Sequence, residues 1–279
     1  MPVPLLRAAA GAPATPLPDP FPGLANSKYR VRFRRGQLVM IAGPPGAGKT
    51  TIALVAALRM GVPAMYVSAD SDETTMAART ASALTRHPVA TVEEVIRNGL
   101  FREQYGADLA GVRLRFVFDP SEPSLEDISH ALTAWVEIHG GPPHLIVVDN
   151  LMNLRAEEGN EWTAMRQSVK DLHWLARTSK SCVIVLHHTS EQDSHHISTA
   201  PPRGAIQGKV AQLPALILTT ANNLGEMWVA VVKYRHGLAD PHARNPLRWV
   251  VDFTNCQIYD QPQPGFVVSN YYQQKGHME

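Results

Sequence analysis

The apolar run Leu38-Val-Met-Ile-Ala42 breaks into Gly43-Pro-Pro-Gly-Ala-Gly48-Lys49-Thr50, and the chain resumes at Thr51–Arg59 with a helix-like run. The pattern GxxxxGK[ST], set between a strand and a helix, leaves little freedom in what can be built around it. Glycines let backbone N–H groups curl around a β-phosphate, Lys49 reaches toward the β- and γ-phosphates, and the Thr50 hydroxyl is a ligand for Mg²⁺. A nucleoside triphosphate, ATP or GTP, seated at a helix N-terminus is the consequence. Gly43, Pro44, Pro45, Gly46, Ala47, Gly48, Lys49, Thr50 and Thr51 are the residues expected around it.

A chain of 279 residues with 44% hydrophobic content is long enough for one large α/β core. Its net charge of +1 excludes a generic polyanion binder and leaves room for local basic surface. Cys182 and Cys256 form no metal-ligand pattern and read as reduced structural residues. No stretch is apolar for long enough to span a bilayer, and the start has no basic segment followed by an apolar core, so a cytoplasmic protein without a membrane partner is expected.

Seven prolines between Pro2 and Pro22 rule out a long helix there and predict an extended arm or linker over residues 1–27. Next, Lys28-Tyr-Arg-Val-Arg-Phe-Arg-Arg35 alternates basic residues with Tyr29, Val31 and Phe33. Period two predicts a strand with one basic face, which suits either a solvated edge or a nucleic-acid or partner surface. From residue 38 short apolar runs alternate with helix-like segments, the signature of a mostly parallel sheet flanked by helices. Strands are expected at 37–42, 64–69, 113–118, 144–149 and 182–187, and helices near 49–60, 73–85, 91–98, 124–138 and 161–178. Runs near 215–220, 227–233 and 248–252 lack long intervening helices, so antiparallel additions are expected. The domain is drawn at 28–258, with a loosely packed tail over 259–279.

Several other stretches carry chemistry that a bound triphosphate would use. The strand His144-Leu-Ile-Val-Val-Asp149 ends in a carboxylate, which beside a P-loop holds Mg²⁺, so Thr50 and Asp149 form the expected metal pair. Met65-Tyr-Val-Ser-Ala-Asp70-Ser-Asp72-Glu73 puts carboxylates at the end of the second strand. Asp70 is the preferred acceptor for an attacking water, with Glu73 in reserve, while Asp72 is well placed to cap the following helix. The strand Cys182-Val-Ile-Val-Leu-His187-His188 ends in two imidazoles, and His188 is a candidate for sensing the γ-phosphate. With His195 and His196 these histidines have no recognised zinc spacing.

Together these residues resemble the RecA-type ATPase domain of the hexameric replicative helicases, the DnaB family, and its shorter phage and plasmid relatives. Ser68-Ala-Asp70 followed by Met76-Ala-Ala-Arg79 keeps that family's spacing but offers aspartate where the family has a catalytic glutamate. His188 stands at the family's sensor glutamine, and Arg203-Gly-Ala-Ile-Gln-Gly208 resembles the stretch after its mobile DNA-facing loop. Val231-Val-Lys233-Tyr-Arg235-His-Gly237 resembles the Lys-x-Arg-x-Gly signature. Its lysine and arginine reach the γ-phosphate held by a neighbouring subunit, and two cations two residues apart on a strand share one face.

The resemblance covers about residues 28–258 and implies a RecA-like fold, ATP and Mg²⁺ as cofactors, ATPase activity and a homo-oligomer, most simply a hexameric ring. It implies a DNA-processing motor acting on single-stranded or forked DNA, working with replication or recombination proteins. The family's helical N-terminal domain is not represented, which suggests a phage or plasmid type accessory ATPase in the host cytoplasm. The candidate DNA contacts are Arg155, Arg203 and Lys209. Two other readings stay open: a recombination or repair ATPase without unwinding activity, and an ATP-dependent regulatory switch. No separate carboxylate cluster supports a nuclease.

Overall fold

The computed structural model describes residues 14–118, 123–154, 161–190 and 199–261. Its frame is a nine-stranded sheet in the order β3-β2-β4-β5-β1-β6-β7-β8-β9. The strands are β1 (Leu38–Gly43), β2 (Ala64–Ser68), β3 (Leu114–Phe118), β4 (Leu145–Asp149), β5 (Cys182–His188), β6 (Leu216–Asn223), β7 (Glu226–Tyr234), β8 (Leu247–Asp252) and β9 (Gln257–Tyr259). From β3 to β6 every neighbouring pair is parallel; β7, β8 and β9 are added antiparallel. The split follows the connections, since a parallel return needs a crossover, usually a helix, and no helix stands between the strands from β6 to β9.

The pleat divides each central strand between two layers. Val39, Ile41, Ile184 and Leu186 face the layer that contains Ile52 and Ala56 of helix α2 (Lys49–Met60), whereas Leu38, Met40, Val183 and Val185 face the other. That second layer is covered by α6 (Leu125–His139) and α7 (Glu161–Ser179) through Ile128, Trp135, Val169 and Leu172. Burial on both sides explains why β1, β2, β4 and most of β5 read as unbroken apolar runs. Helix α3 (Glu73–Thr85) starts at Asp72, whose carboxylate accepts from Thr75 N at 2.8 Å, as expected of a cap. It packs with α4 (Val89–Arg97) and α5 (Phe101–Leu109) around Ala78, Ala81, Val92 and Tyr105.

Two expectations need correction. The segment 28–35 keeps its alternation, with Tyr29, Val31 and Phe33 buried, but joins no sheet; among the described residues its ladder is one bridge between Arg34 and Pro16. From residue 14 the expected arm is part of the body. Short helix α1 (Pro22–Asn26) carries Leu24 into the core, and Phe21 lies against Trp249 with ring centroids 4.7 Å apart. Prolines forbade a long helix but not docking, and burying a large apolar side chain contributes about 1.5–3 kcal/mol. At the other end of the chain Asp260 accepts from Gly23 N at 2.6 Å, tying the start of the expected tail to α1.

Candidate active site

The loop between β1 and α2 is shaped by glycine. Gly46 and Gly48 have φ of 74° and 79°, a region costly for other residues. A Cβ on Gly48 would also stand 2.5 Å from Met227 Cε on β7. Lys49 is the first residue of α2 and its side chain turns back under the loop, where Nζ donates to the carbonyls of Gly43 at 3.0 Å and Pro44 at 2.9 Å. Burial lowers the pKa of this ammonium, and the nearby charges of Asp149 and Asp70 oppose that shift.

Asp149, at the end of β4, is 2% exposed. Tyr66, pointing across from β2, donates its hydroxyl to Asp149 Oδ2 at 2.8 Å, and the Thr50 hydroxyl is hydrogen-bonded to the same carboxylate. Burial raises the Asp149 carboxyl above the usual range while these two hydrogen bonds pull it down. Burial and the adjoining carboxylate hold the Tyr66 phenol well above its ordinary value. A hydroxyl and a carboxylate set side by side form an oxygen donor pair that fits a hard cation such as Mg²⁺.

These groups open onto a cleft of about 540 Å³, which Asp70 and His188 also line. Asp70 is exposed, and its charge is felt by Lys49, Asp149 and His188. Burial, with Lys49 close by, lowers the His188 pKa and keeps the ring neutral at neutral pH. Arg79, Val89, Phe253 and Cys256 complete another wall of the cleft. Sequence reasoning does not assign these four to the site: Arg79 enters it only through its spacing from Asp70, and Cys256 only as a structural cysteine. Phe253 sits in the β8–β9 turn, which accepts Val89 N at Thr254 O at 2.8 Å, so residues far apart in sequence meet here with no local pattern to announce them.

His187 was a second omission. It is fully buried, and its Nε2 lies 3.1 Å from Gln207 O, so the proton on that nitrogen faces the carbonyl. Burial lowers its pKa to about 4. One strand end therefore presents His188 to the cleft while anchoring residue 207 with His187.

Lys233 and Arg235 are elsewhere. Tyr234 pairs with Leu216, which pairs with Val39, so these cations lie at the amino ends of the parallel strands, about 13 Å or more along the strand from the loop after Gly43. Lys233 Nζ donates to Ala211 O at 2.9 Å and Gln212 O at 2.5 Å, and Arg235 donates to Leu213 O at 2.9 Å. Burial, then Arg235 and Arg203, lowers the Lys233 pKa to about 8. Gly237 has a packing reason, since a Cβ there would meet the Tyr234 ring at 2.9 Å and Tyr29 O at 3.2 Å. Arg203 is exposed on this side, Lys209 is exposed beside α7, and Arg155 lies outside the described residues.

The cleft is that of a P-loop ATPase, and the fold around it is RecA-like, of the kind seen in DnaB-like ATPase domains. A family model described as an AAA domain matches residues 26–194, and the chain belongs to that family. It is 33% identical over 249 residues to the Gene 65 protein of Mycobacterium phage L5, covering 86% of this chain and 90% of the phage protein. The Gene 65 protein of Mycobacterium phage D29 is 34% identical over 233 residues, 80% of this chain and 100% of the relative. Among solved structures, a DnaB-like replicative helicase superimposes with a TM-score of 0.77 at 15% identity, over 92% of this chain and 67% of that one. A second structure, of an ATPase domain, gives 0.75 at 16% identity, over 92% of this chain and 95% of that domain. A KaiC-like protein from Pyrococcus horikoshii gives 0.60 at 15% identity, over 90% of this chain and all of the other. Among the described residues no helix is long and apolar enough to cross a membrane.

Proposed function

We propose that this protein is an ATP-driven motor that moves along single-stranded DNA, hydrolysing ATP at contacts between copies of itself. The observation that carries this reading is the separation of Lys233 and Arg235 from the P-loop of their own chain by the length of the sheet. Cations so placed do not serve the phosphates held by their own P-loop, and this reading assigns them to the nucleotide that a neighbouring subunit presents.

In this mechanism the loop N–H groups and Lys49 hold the β- and γ-phosphates, as their geometry allows. Thr50 and Asp149 would hold Mg²⁺, which when bound offsets charge between those phosphates. Asp70 accepts a hydrogen bond from the attacking water and orients it toward the γ-phosphorus; as the water oxygen bonds to phosphorus its proton passes to the Asp70 carboxylate, and the bond to the bridging oxygen breaks with its electron pair leaving on ADP. Lys233 and Arg235 of a neighbouring copy stabilise the charge that develops, worth about 10³–10⁵ in rate for a positioned arginine. His188 feels the state of the γ-phosphate, and β5 passes any shift through His187 to Gln207. Arg203 and Lys209, with Arg155, are offered as phosphate contacts for the strand.

The direct test is steady-state hydrolysis with and without single-stranded DNA. The native protein is expected to hydrolyse ATP faster as it assembles and when DNA is added, and Lys49→Ala to lose the stimulated rate. DNA-stimulated hydrolysis that survives in Lys49→Ala contradicts the reading. Strand separation on a forked duplex then distinguishes a helicase from a motor that remodels DNA without unwinding it.

A further inference from the structure

The basic residues that end the 28–35 segment have no part in the nucleotide cleft. They belong to the opposite edge of the sheet, where backbone hydrogen bonds link the amino ends of the strands in one line. Ala64 N donates to Arg113 O at 2.9 Å, His144 N to Pro63 O at 2.8 Å, Cys182 N to His144 O at 2.8 Å and Gly36 N to Ser181 O at 2.9 Å. The line continues through Ala215 N to Leu38 O and Arg235 N to Ala215 O, both at 2.8 Å. Cations are rooted along it: Arg113 before β3, Lys180 before β5, Arg34 and Arg35 before β1, and Lys233 and Arg235 at the end of β7. Arg177, in the last turn of α7, precedes Lys180 by three residues. At about 4.8 Å per strand, the four steps from β3 to β1 span about 19 Å and the six from β3 to β7 about 29 Å.

Three histidines sample the potential along this edge. Burial lowers the pKa of each, and the charges that lower it further are all cations: Arg35 and Arg113 at His144, Arg235, Arg177 and Lys233 at His173, and Arg34 and Arg235 at His236. Arg113, Arg177 and Lys180 are exposed, and among the described residues none of the three is ion-paired. Arg35 Nε donates to Lys180 O at 2.7 Å, which fixes its guanidinium toward β5. With a net charge of only +1 for the whole chain, so many cations on one edge are a local concentration. One γ-phosphate engages Lys233 and Arg235 at one end of the line and leaves the rest unused, since Arg113 stands about 29 Å away. A duplex carries one charge per about 1.7 Å of its axis, and its stiffness suits cations that a sheet holds in a fixed row. We infer that the amino edge of the sheet, from Arg113 through Lys180 and Arg177 to Arg35, binds the phosphate backbone of double-stranded nucleic acid without reading its sequence. This surface goes beyond the function proposed above, because it uses neither the ATP cleft nor the single-strand contacts offered there.

The test is equilibrium binding of the full chain, by fluorescence anisotropy at stepped salt, to a labelled DNA duplex and to an oligothymidylate of equal length. Arg113→Ala, Arg177→Ala and Lys180→Ala should each lower the slope of log affinity against log salt for the duplex by about 0.9, the value per phosphate contact, and the triple variant by about 2.7. Oligothymidylate binding and ATP hydrolysis without DNA should stay at the native level. Arg97→Ala, at an exposed arginine of α4, should change neither slope. The single variants, all at exposed side chains, keep the test open if the triple variant does not fold. A duplex slope that is the same in native protein and triple variant overturns the inference, as does a native protein that binds no duplex. A loss of slope confined to oligothymidylate overturns the duplex assignment. A fall in assembly mass of the triple variant, measured by light scattering, assigns this edge to contact between copies and also overturns it.

Discussion

At the carboxyl ends of the parallel strands, Lys49, Thr50, Tyr66 and Asp149 form a closed set in which each polar group has a partner within the chain. At the amino ends, Lys233, Arg235 and Arg203 crowd one another, and Lys233 and Arg235 are steadied by backbone carbonyls of residues 211–213. The first region is organised to receive a phosphate, with opposite charges in balance. The second concentrates like charge, which costs stability unless something negative is brought to it. On the proposed reading, one chain holds two complementary halves of a phosphoryl-transfer site that its own topology keeps apart.

The largest effect should come from breaking the far half. Arg235→Ala is expected to lower kcat by about 10³ or more while ATP affinity, measured with a fluorescent analogue, stays near native. Equal loss of binding would place Arg235 in structural support instead. In the near half, Asp70→Asn should cost about 10²–10⁴ in kcat, and Asp70→Glu should be active, since it keeps a carboxylate at this position. If Asp70→Asn keeps its rate, the water is oriented by another group, with Glu73 the next candidate.

His187 sharpens the link between the near half and the 207 segment. Its pKa falls from 6.5 to about 4 on folding, so the unfolded chain binds the extra proton first. The stability that this ring contributes is complete above about pH 6.5 and is lost as pH falls toward 4, on the order of 3 kcal/mol over the window. Urea unfolding at stepped pH should show that slope in the native protein and a shallower one in His187→Asn. The smallest expected effect concerns Lys233, whose ammonium, lowered to about 8, is charged below that pH and neutral above it. The value of kcat/KM should fall as pH rises through about 8, and Lys233→Arg should move that limb upward.

The near half was readable because its signals are local. Gly46, Gly48, Lys49 and Thr50 are neighbours in sequence, and β4 and β5 each end an apolar run with the residue that matters. Asp72 could be assigned as a cap on the same ground, since capping spans a single turn. Other parts depend on tertiary contacts that no periodicity encodes. Helix α5 was missed because Phe101–Leu109 has a weak apolar stripe and contains Gly106, so its formation leans on packing of Tyr105 against α3 and α4. The docking of Phe21 on Trp249 joins opposite ends of the chain, and Phe253 reaches the cleft only through the β8–β9 turn. Lys233 and Arg235 were legible as a pair, whereas their distance from the P-loop emerges only from the strand order.

The measurement that addresses the divided site most directly is subunit complementation. Lys49→Ala keeps the cations of the far half and loses the phosphate lysine; Arg235→Ala keeps the P-loop and loses a cation. Each variant alone should be nearly inactive, and mixing the two should restore DNA-stimulated ATP hydrolysis well above their sum, because some interfaces then pair an intact P-loop with an intact Arg235. Mixed activity no greater than the sum, or full activity of monomeric Arg235→Ala, would contradict the account.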